Sequence, residues 1–421
     1  LKEGKMKKSM MKKFRGKVSI VLLSFLTVFF LISATSQAAD EIKIGLVSAL
    51  TGPAGPVGQS HLAGAKVAVM HINEDGGIMG RKVVLVERDT AASPATALKV
   101  TRDLLMNQNV KLMTGVVSSA VALALPPLME EQNGIMMIAA GQTEKVTGVN
   151  CNPHVFRICT HGVVAPSAMA KHAKERYPNI KRWGGVNPDY EFGHSCWRTF
   201  SRTLAKIDPS LTIVPTHFPK FGATNFEPVI LKLLEDKVEG VYGVIYGNDF
   251  IAFAKQAQKY KLFDQVKVFL DHAVEMEVAV PLGFDMPHTW GGGHYNYKAY
   301  NNKLNQRFVE GHKKLFNGQV PVYAASETYS ALYAYKYAIE KAKSTDTKEV
   351  IKALRGLSFD SVTGSRRIRP EDNQTEGTGI FTHFVPQKEA PGWKVTEYYT
   401  FPNASFIPKP SDPDGGCKMK W

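Results

Sequence analysis

The fold is decided by IKIGLVSAL at 42–50, which passes through the Gly/Pro-rich turn TGPAGPVG at 51–58 into HLAGAKVAVMHINEDGG at 61–77. The first run is apolar and β-branched, with one Lys, and is short enough to be a buried strand. In the second, Leu62, Ala65, Val69 and Ile72 fall on one helical face, and Gly76-Gly77 supplies a stop. Outward from there the alternation continues, with strand 82–89, helix 95–108, strand 110–117, helix 122–132 and strand 135–140. A chain of this order with right-handed crossovers makes a parallel sheet covered by helices on both faces. After VFRIC at 155–159 the rhythm restarts with helix 166–177, strand 181–186, a helix from 193, strand 211–218, helix 226–236, strand 240–246, helix 249–261 and strand 266–270. Helices at 300–316, 323–343 and 347–355 follow, then a Pro- and Gly-rich tail with a few strands. The sequence therefore predicts an α/β fold of two doubly wound parallel-sheet units in series.

The 421 residues carry a net charge of +14, which on its face invites a nucleic-acid reading. Half of that excess sits in residues 1–38, where eight Lys and Arg accompany the single Glu3. There the basic KKSMMKKFRGK at 7–17 precedes the apolar VSIVLLSFLTVFFLIS at 18–33 and the small-residue site Ser36-Gln37-Ala38. This is the pattern of an export signal cleaved near Ala38 rather than of a membrane anchor, since the apolar run is short of the roughly 20 residues a span needs. The remaining basic residues are scattered without a stripe or interleaved aromatics, so nucleic-acid binding is not expected. A hydrophobic content of 44% excludes a disordered chain. Four Cys, at 151, 159, 196 and 417, permit a disulfide in an oxidising compartment, with three full pairings open. His154 and His161 are expected at the surface rather than as metal ligands, because no C-x-x-C pair accompanies them.

A search for catalytic patterns finds no G-x-S-x-G, H-E-x-x-H or G-x-x-x-x-G-K-[ST]. Gly52, Gly55 and Gly58 do not have dinucleotide-fingerprint spacing, and Gly291-Gly292-Gly293 is a loop without a following helix N-terminus. No enzyme, cofactor or metal is expected. What the sequence does offer are small-residue turns after strands, the edge where ligands settle in open α/β sheets. In the first unit these are Thr51 to Gln59, Ser118-Ser119-Ala120 and Gly141-Gln142-Thr143. In the second they are Tyr190 and Phe192 within DYEFG at 189–193, Tyr246 before Gly247-Asn248, and Asp271. Ser118 and Ser119 equally suit plain helix caps. An aromatic pair facing a Ser pair across a cleft suits a small organic acid or amino acid.

The segments IKIGLVSALTGPAGPVGQ (42–59), INEDGGIMGRKVVLVERDT (72–90), TGVVSSAVALALPPLMEEQNGIMMIAA (114–140), VFR (155–157), PDYEFG (188–193), ETYSALYAYKYAIEKA (327–342) and PEDNQ (370–374) together resemble the Leu/Ile/Val-binding protein family, the periplasmic solute receptors of branched-chain amino acid ABC transporters. The resemblance implies a type I periplasmic binding fold with three hinge crossings. Lobe 1 would comprise 39–157 plus 293–362, lobe 2 158–292 plus 363–405, and the C-terminal tail 406–421. It also implies that Ser118, Ser119, Ala120 and the Gly141–Thr143 turn clasp a ligand carboxylate, that Tyr190 and Phe192 form an aromatic wall beside Tyr246, and that Asp271 takes an α-ammonium. Asp271 stands where the amino-acid binders usually have Glu, and relatives of this fold also carry aromatic acids, amides and urea. The implied partners are an ABC permease and its ATPase; a ligand-sensing subunit of a regulator or receptor kinase is the alternative use of the same fold.

Overall fold

The computed structural model describes residues 41–292, 294–411 and 416–419. The expected export signal lies outside the described residues. β1 (Ile42–Ser48) is buried at every position but Lys43, as the apolar run predicts. α1 (Gly55–Glu74) begins six residues earlier than its apolar face suggests, because the turn itself winds into the helix behind Pro56. Gly58 makes this possible: a Cβ there would sit 1.8 Å from the Ala49 carbonyl oxygen, so the first helical turn rests directly on the end of β1.

β2 (Val83–Asp89), α2 (Pro94–Met106) and β3 (Leu112–Gly115) follow as expected. The helix expected at 122–132 is two pieces, α3 (Ser119–Ala124) and α4 (Pro126–Glu131), since Pro126 cannot continue the hydrogen-bond ladder. With β4 (Ile135–Ile138) and β5 (Val155–Arg157) the first sheet has the order β2-β1-β3-β4-β5, all parallel.

The second unit contains α5 (Val164–Arg176), β6 (Arg182–Val186), α6 (Glu191–Ile207), β7 (Thr212–Ile213), α7 (Glu227–Glu235), β8 (Gly240–Gly243), α8 (Gly247–Lys259), α9 (Leu262–Gln265), β9 (Val268–Asp271), α10 (Met276–Leu282) and β10 (Thr289–Gly291). Its parallel strands run β7-β6-β8-β9-β10, the same order as the first sheet, so the two units repeat one topology. α11 (Lys303–Leu315), α12 (Tyr323–Ala342) and α13 (Thr347–Leu354) come next. α12 packs on α1 so closely that a Cβ on Gly64 would lie 2.0 Å from the Ala325 carbonyl oxygen.

β11 (Ser358–Ser361), β12 (Gly364–Ile368) and β13 (Thr375–Glu376) form a small antiparallel sheet. The boundary expected between 362 and 363 therefore falls in the turn of the β11–β12 hairpin, and the chain passes to the second sheet at Gly377. There β14 (Thr378–Pro386) and β15 (Trp393–Pro402) add an antiparallel hairpin next to β10, making the second sheet mixed rather than wholly parallel. A connection of six residues between them is too short for a parallel crossover. Finally, Cys151 bonds Cys417 across 266 positions, which settles the pairing, while Cys159 and Cys196 are buried thiols. His161 is buried, contrary to the sequence expectation, and its Nδ1 accepts from the Val163 N–H.

Candidate functional site

In a sheet of this order the strand direction of crossover reverses beside the first strand, and the carboxyl ends there leave a crevice. Here the two crevices face each other across one cleft, with about 450 Å³ of space between the walls, the solvent at its mouth included. Val57 after β1, Val117 after β3, and Ala140 and Gln142 after β4 line one wall. Tyr190 and Phe192 after β6, Tyr246 after β8, and Ala273 and Glu275 after β9 line the other. His294, just past β10, and Tyr323, at the start of α12, close the side between them.

Tyr190 and Tyr246 are each the extended N-cap residue of a helix, α6 and α8, so strand-to-helix turns carry both rings to the sheet edge. Their hydroxyls meet at 2.8 Å. Phe192 lies 6.1 Å from Tyr190 and 5.9 Å from Tyr246 between ring centroids, and Phe221 supports both tyrosines from behind at 5.4 Å. Such a cluster presents a pre-packed aromatic face with little rotamer freedom left to lose.

The opposite wall is made of turns. The Ser119 hydroxyl accepts from the Thr143 N–H at 3.2 Å, which joins the two turns expected to clasp a ligand. Ser118 is the N-cap of α3 without a side-chain capping bond, and it is buried like Ser119. Arg157, fully buried at the end of β5, fixes the second turn by donating to the Gln142 and Thr143 carbonyls, and it also donates to Thr147 and to Gln374 Oε1. Burial lowers its pKa to about 10, so the guanidinium keeps its charge at neutral pH. VFR and PEDNQ, far apart in sequence, are thus two halves of one brace behind the cleft.

Contacts between the walls follow from the short helical turn Glu144–Val146. Thr143 Oγ1 donates to Glu191 at 3.1 Å, Lys145 pairs with Glu191 at 2.9 Å, and Glu144 receives Ser195 and Arg198. Burial pushes the Glu144 carboxyl up, but these bonds outweigh it and hold the pKa below its ordinary value.

Of the sequence-derived residues, Gln142, Tyr190, Phe192 and Tyr246 reach the cleft wall, whereas Ser118, Ser119, Ala120, Gly141 and Thr143 are not among the residues that line it. Asp271 does not take the expected place. Its carboxylate is wholly buried and accepts from the Ile245 N–H at 3.0 Å and the Ala273 N–H at 2.9 Å, and burial pushes its pKa well above the usual carboxylate range. An Asp at a strand end folds back on its own turn, and the acid that lines the cleft is Glu275, four residues on. Glu275 packs its carboxylate against Gly292, where a Cβ would lie 3.3 Å from either oxygen. Glu275, His294 and Tyr323 are absent from the sequence reading; the DHAVE run after β9 held the signal for the first, and the glycine triplet before His294 for the second.

His294 is buried among these groups. Its Nε2 lies 2.8 Å from Gln142 Nε2, its Nδ1 2.9 Å from Thr160 Oγ1, and its ring stacks on Tyr323 at 3.9 Å. Burial drives its pKa far below the ordinary value, with His272 and Arg366 adding to the effect, so the imidazole is neutral. Beneath it Arg366 and Glu327 form a buried bidentate ion pair. Among the described residues there is no grouping of His, Cys, Asp and Glu that could hold a metal ion, and no helix long and apolar enough to cross a membrane.

A sequence profile described as periplasmic binding protein matches residues 41–388. The leucine-, isoleucine-, valine-, threonine- and alanine-binding protein of Pseudomonas aeruginosa is 25% identical over 342 residues, covering 78% of this chain and 86% of that protein. A Leu/Ile/Val-binding protein homolog of Brucella melitensis is 23% identical over 408 residues, covering 93% and 95%. Among solved structures, a solute-binding protein of an ABC transporter from R. palustris in complex with benzoate superposes with a TM-score of 0.78 at 18% identity, covering 90% of this chain and all of that one. A leucine-binding protein from Thermotoga maritima gives 0.74 at 21% identity, covering 85% and 98%.

Proposed function

The chain belongs to the periplasmic binding protein family, and from that premise we propose that it is the extracytoplasmic solute receptor of an ABC importer, closing on one small organic molecule between its two sheets. The observation that carries this reading is the cleft itself, where an aromatic face from one unit opposes small turns from the other. The relatives named above are solute-binding proteins rather than enzymes.

For the ligand we favour an amino acid with an apolar side chain over a plain aromatic acid. Glu275 is the one formally charged side chain among the described lining residues, which include neither Lys nor Arg. An ammonium next to Glu275 is neutralised there. The side chain then packs against Tyr190, Phe192 and Tyr246. A ligand that touches both walls favours the closed arrangement by its differential affinity, and that arrangement is what a permease would recognise.

Thermal-shift and calorimetric titration with amino acids, aromatic acids, amides and urea tests the reading. A binder that raises the melting temperature with the logarithm of its excess supports it. Failure of every solute to bind, with the protein folded, sinks it.

A further inference from the structure

Between the cleft and the hinge, one hydrogen-bond relay leaves a polar atom unaccounted for. Gln142 is 6% exposed and lines the cleft, yet its side-chain Oε1 is buried with no partner. Leaving a buried carbonyl oxygen without a donor is costly, so such an atom at a cleft wall marks a place where a ligand supplies the bond. Its orientation is coupled to the tautomer of His294. An amide nitrogen only donates, and a neutral imidazole donates from one nitrogen and accepts at the other. With Gln142 Nε2 facing His294 Nε2 at 2.8 Å, Nε2 must accept. The ring proton then sits on Nδ1 and goes to Thr160 Oγ1 at 2.9 Å. Stacking on Tyr323 holds the ring plane. Thr160 is at the first passage between the sheets and also receives Asn403 Nδ2 at 3.4 Å, so the relay is anchored in the hinge rather than in either wall.

We propose that His294 is a positioning residue: its Nδ1–H tautomer turns the Gln142 carbonyl toward the ligand, so that Gln142 and Glu275 stand on the cleft lining beside His294 as two acceptors and select a ligand end bearing N–H donors, an ammonium or a primary carboxamide. This rests on the reading of the cleft as a solute site and deepens it. The opposite tautomer would turn the amide over, present its NH₂ to the cleft and select a carboxylate at the same position.

The test has two arms. Nitrogen-15 NMR of the intact protein, with the His294 signals assigned by their loss in His294→Phe, is expected to show a protonated Nδ1 and a bare Nε2. A protonated Nε2 overturns the proposal whether or not any ligand is known. Calorimetry with the matched sets benzoate, benzamide and benzylamine, and isovalerate, isovaleramide and leucine, is expected to rank the best N–H-bearing member at least tenfold above the acid of its set. His294→Phe, which keeps the stacking, should lose that preference, and His294→Gln, whose amide oxygen can replace Nε2 as acceptor, should recover most of it. Acids binding more tightly than their amide and amine partners overturn this inference alone. No binding by any member overturns the solute reading and this inference with it.

Discussion

The two walls of the cleft come from the same strand order but are made of different material. The first is backbone turns with small side chains, held from behind by Arg157 and by the Ser119–Thr143 bond. The second is rings that support one another and need no such brace. One wall gets its shape from buried polar bonds and the other from packing. Disturbance of the first should therefore appear mainly as instability, and of the second mainly as lost affinity.

The largest effect should come from breaking the brace. Arg157→Leu strips donors from two backbone carbonyls and Gln374 at once, and is expected to lower the unfolding free energy by about 3–5 kcal/mol, read by urea denaturation. Phe192→Ala removes the ring between the two tyrosines. We expect affinity to fall roughly 30- to 100-fold, about 2–3 kcal/mol, with the denaturation midpoint changed much less. A drop confined to stability would erase the distinction between the walls.

Glu275→Gln sharpens the comparison chemically. If the ligand carries an ammonium, affinity should fall about tenfold or more in calorimetry, since hydrogen bonds to charged groups contribute roughly 1.5–3 kcal/mol. Asp249, in the first turn of α8 behind the aromatic wall, accepts from the Gly222 N–H, and burial raises its pKa to about 6. The native state thus binds more protons than the unfolded chain between about pH 4 and 6, and stability falls as pH rises through that window. Asp249→Asn should stabilise by on the order of 1–2 kcal/mol at pH 7.5, with the gain disappearing near pH 4 in thermal melts. Least of all, Ser119→Ala should cost about 1 kcal/mol by freeing the Thr143 N–H from its partner.

Much of the fold was legible because periodicity reports burial, and the helices and parallel strands of both units are where burial decides the structure. The reading failed where backbone chemistry overrides periodicity. Gly58 and Pro56 let a helix begin inside an apparent loop, Pro126 broke another, and the tail's expected strands pair antiparallel beside β10, a partner that no periodicity names. At the cleft, residues directly after strands were readable from the order of elements. Glu275, His294 and Tyr323 were not singled out, since they reach the cleft through turns and a returning helix: the DHAVE run and the glycine triplet mark only that a turn is there, and nothing local marks Tyr323. Asp271 shows the limit: an acid at a strand end looks the same in sequence whether it faces a ligand or, as here, the backbone of its own turn and of the turn after β8.

The Cys151–Cys417 bond fastens the segment following β15 onto the loop before β5, with Arg369 holding the Pro408 carbonyl on the way. Cys417 is consequently fastened to the loop before β5, a strand of the sheet that also contains β1. Tension applied between residue 41 and residue 419 would pass through the first sheet and across the sulfur bridge, bypassing the 266-position loop that contains the whole second unit. Under load the oxidised protein should extend only by the chain outside that loop, and the reduced protein should release the rest in a separate event.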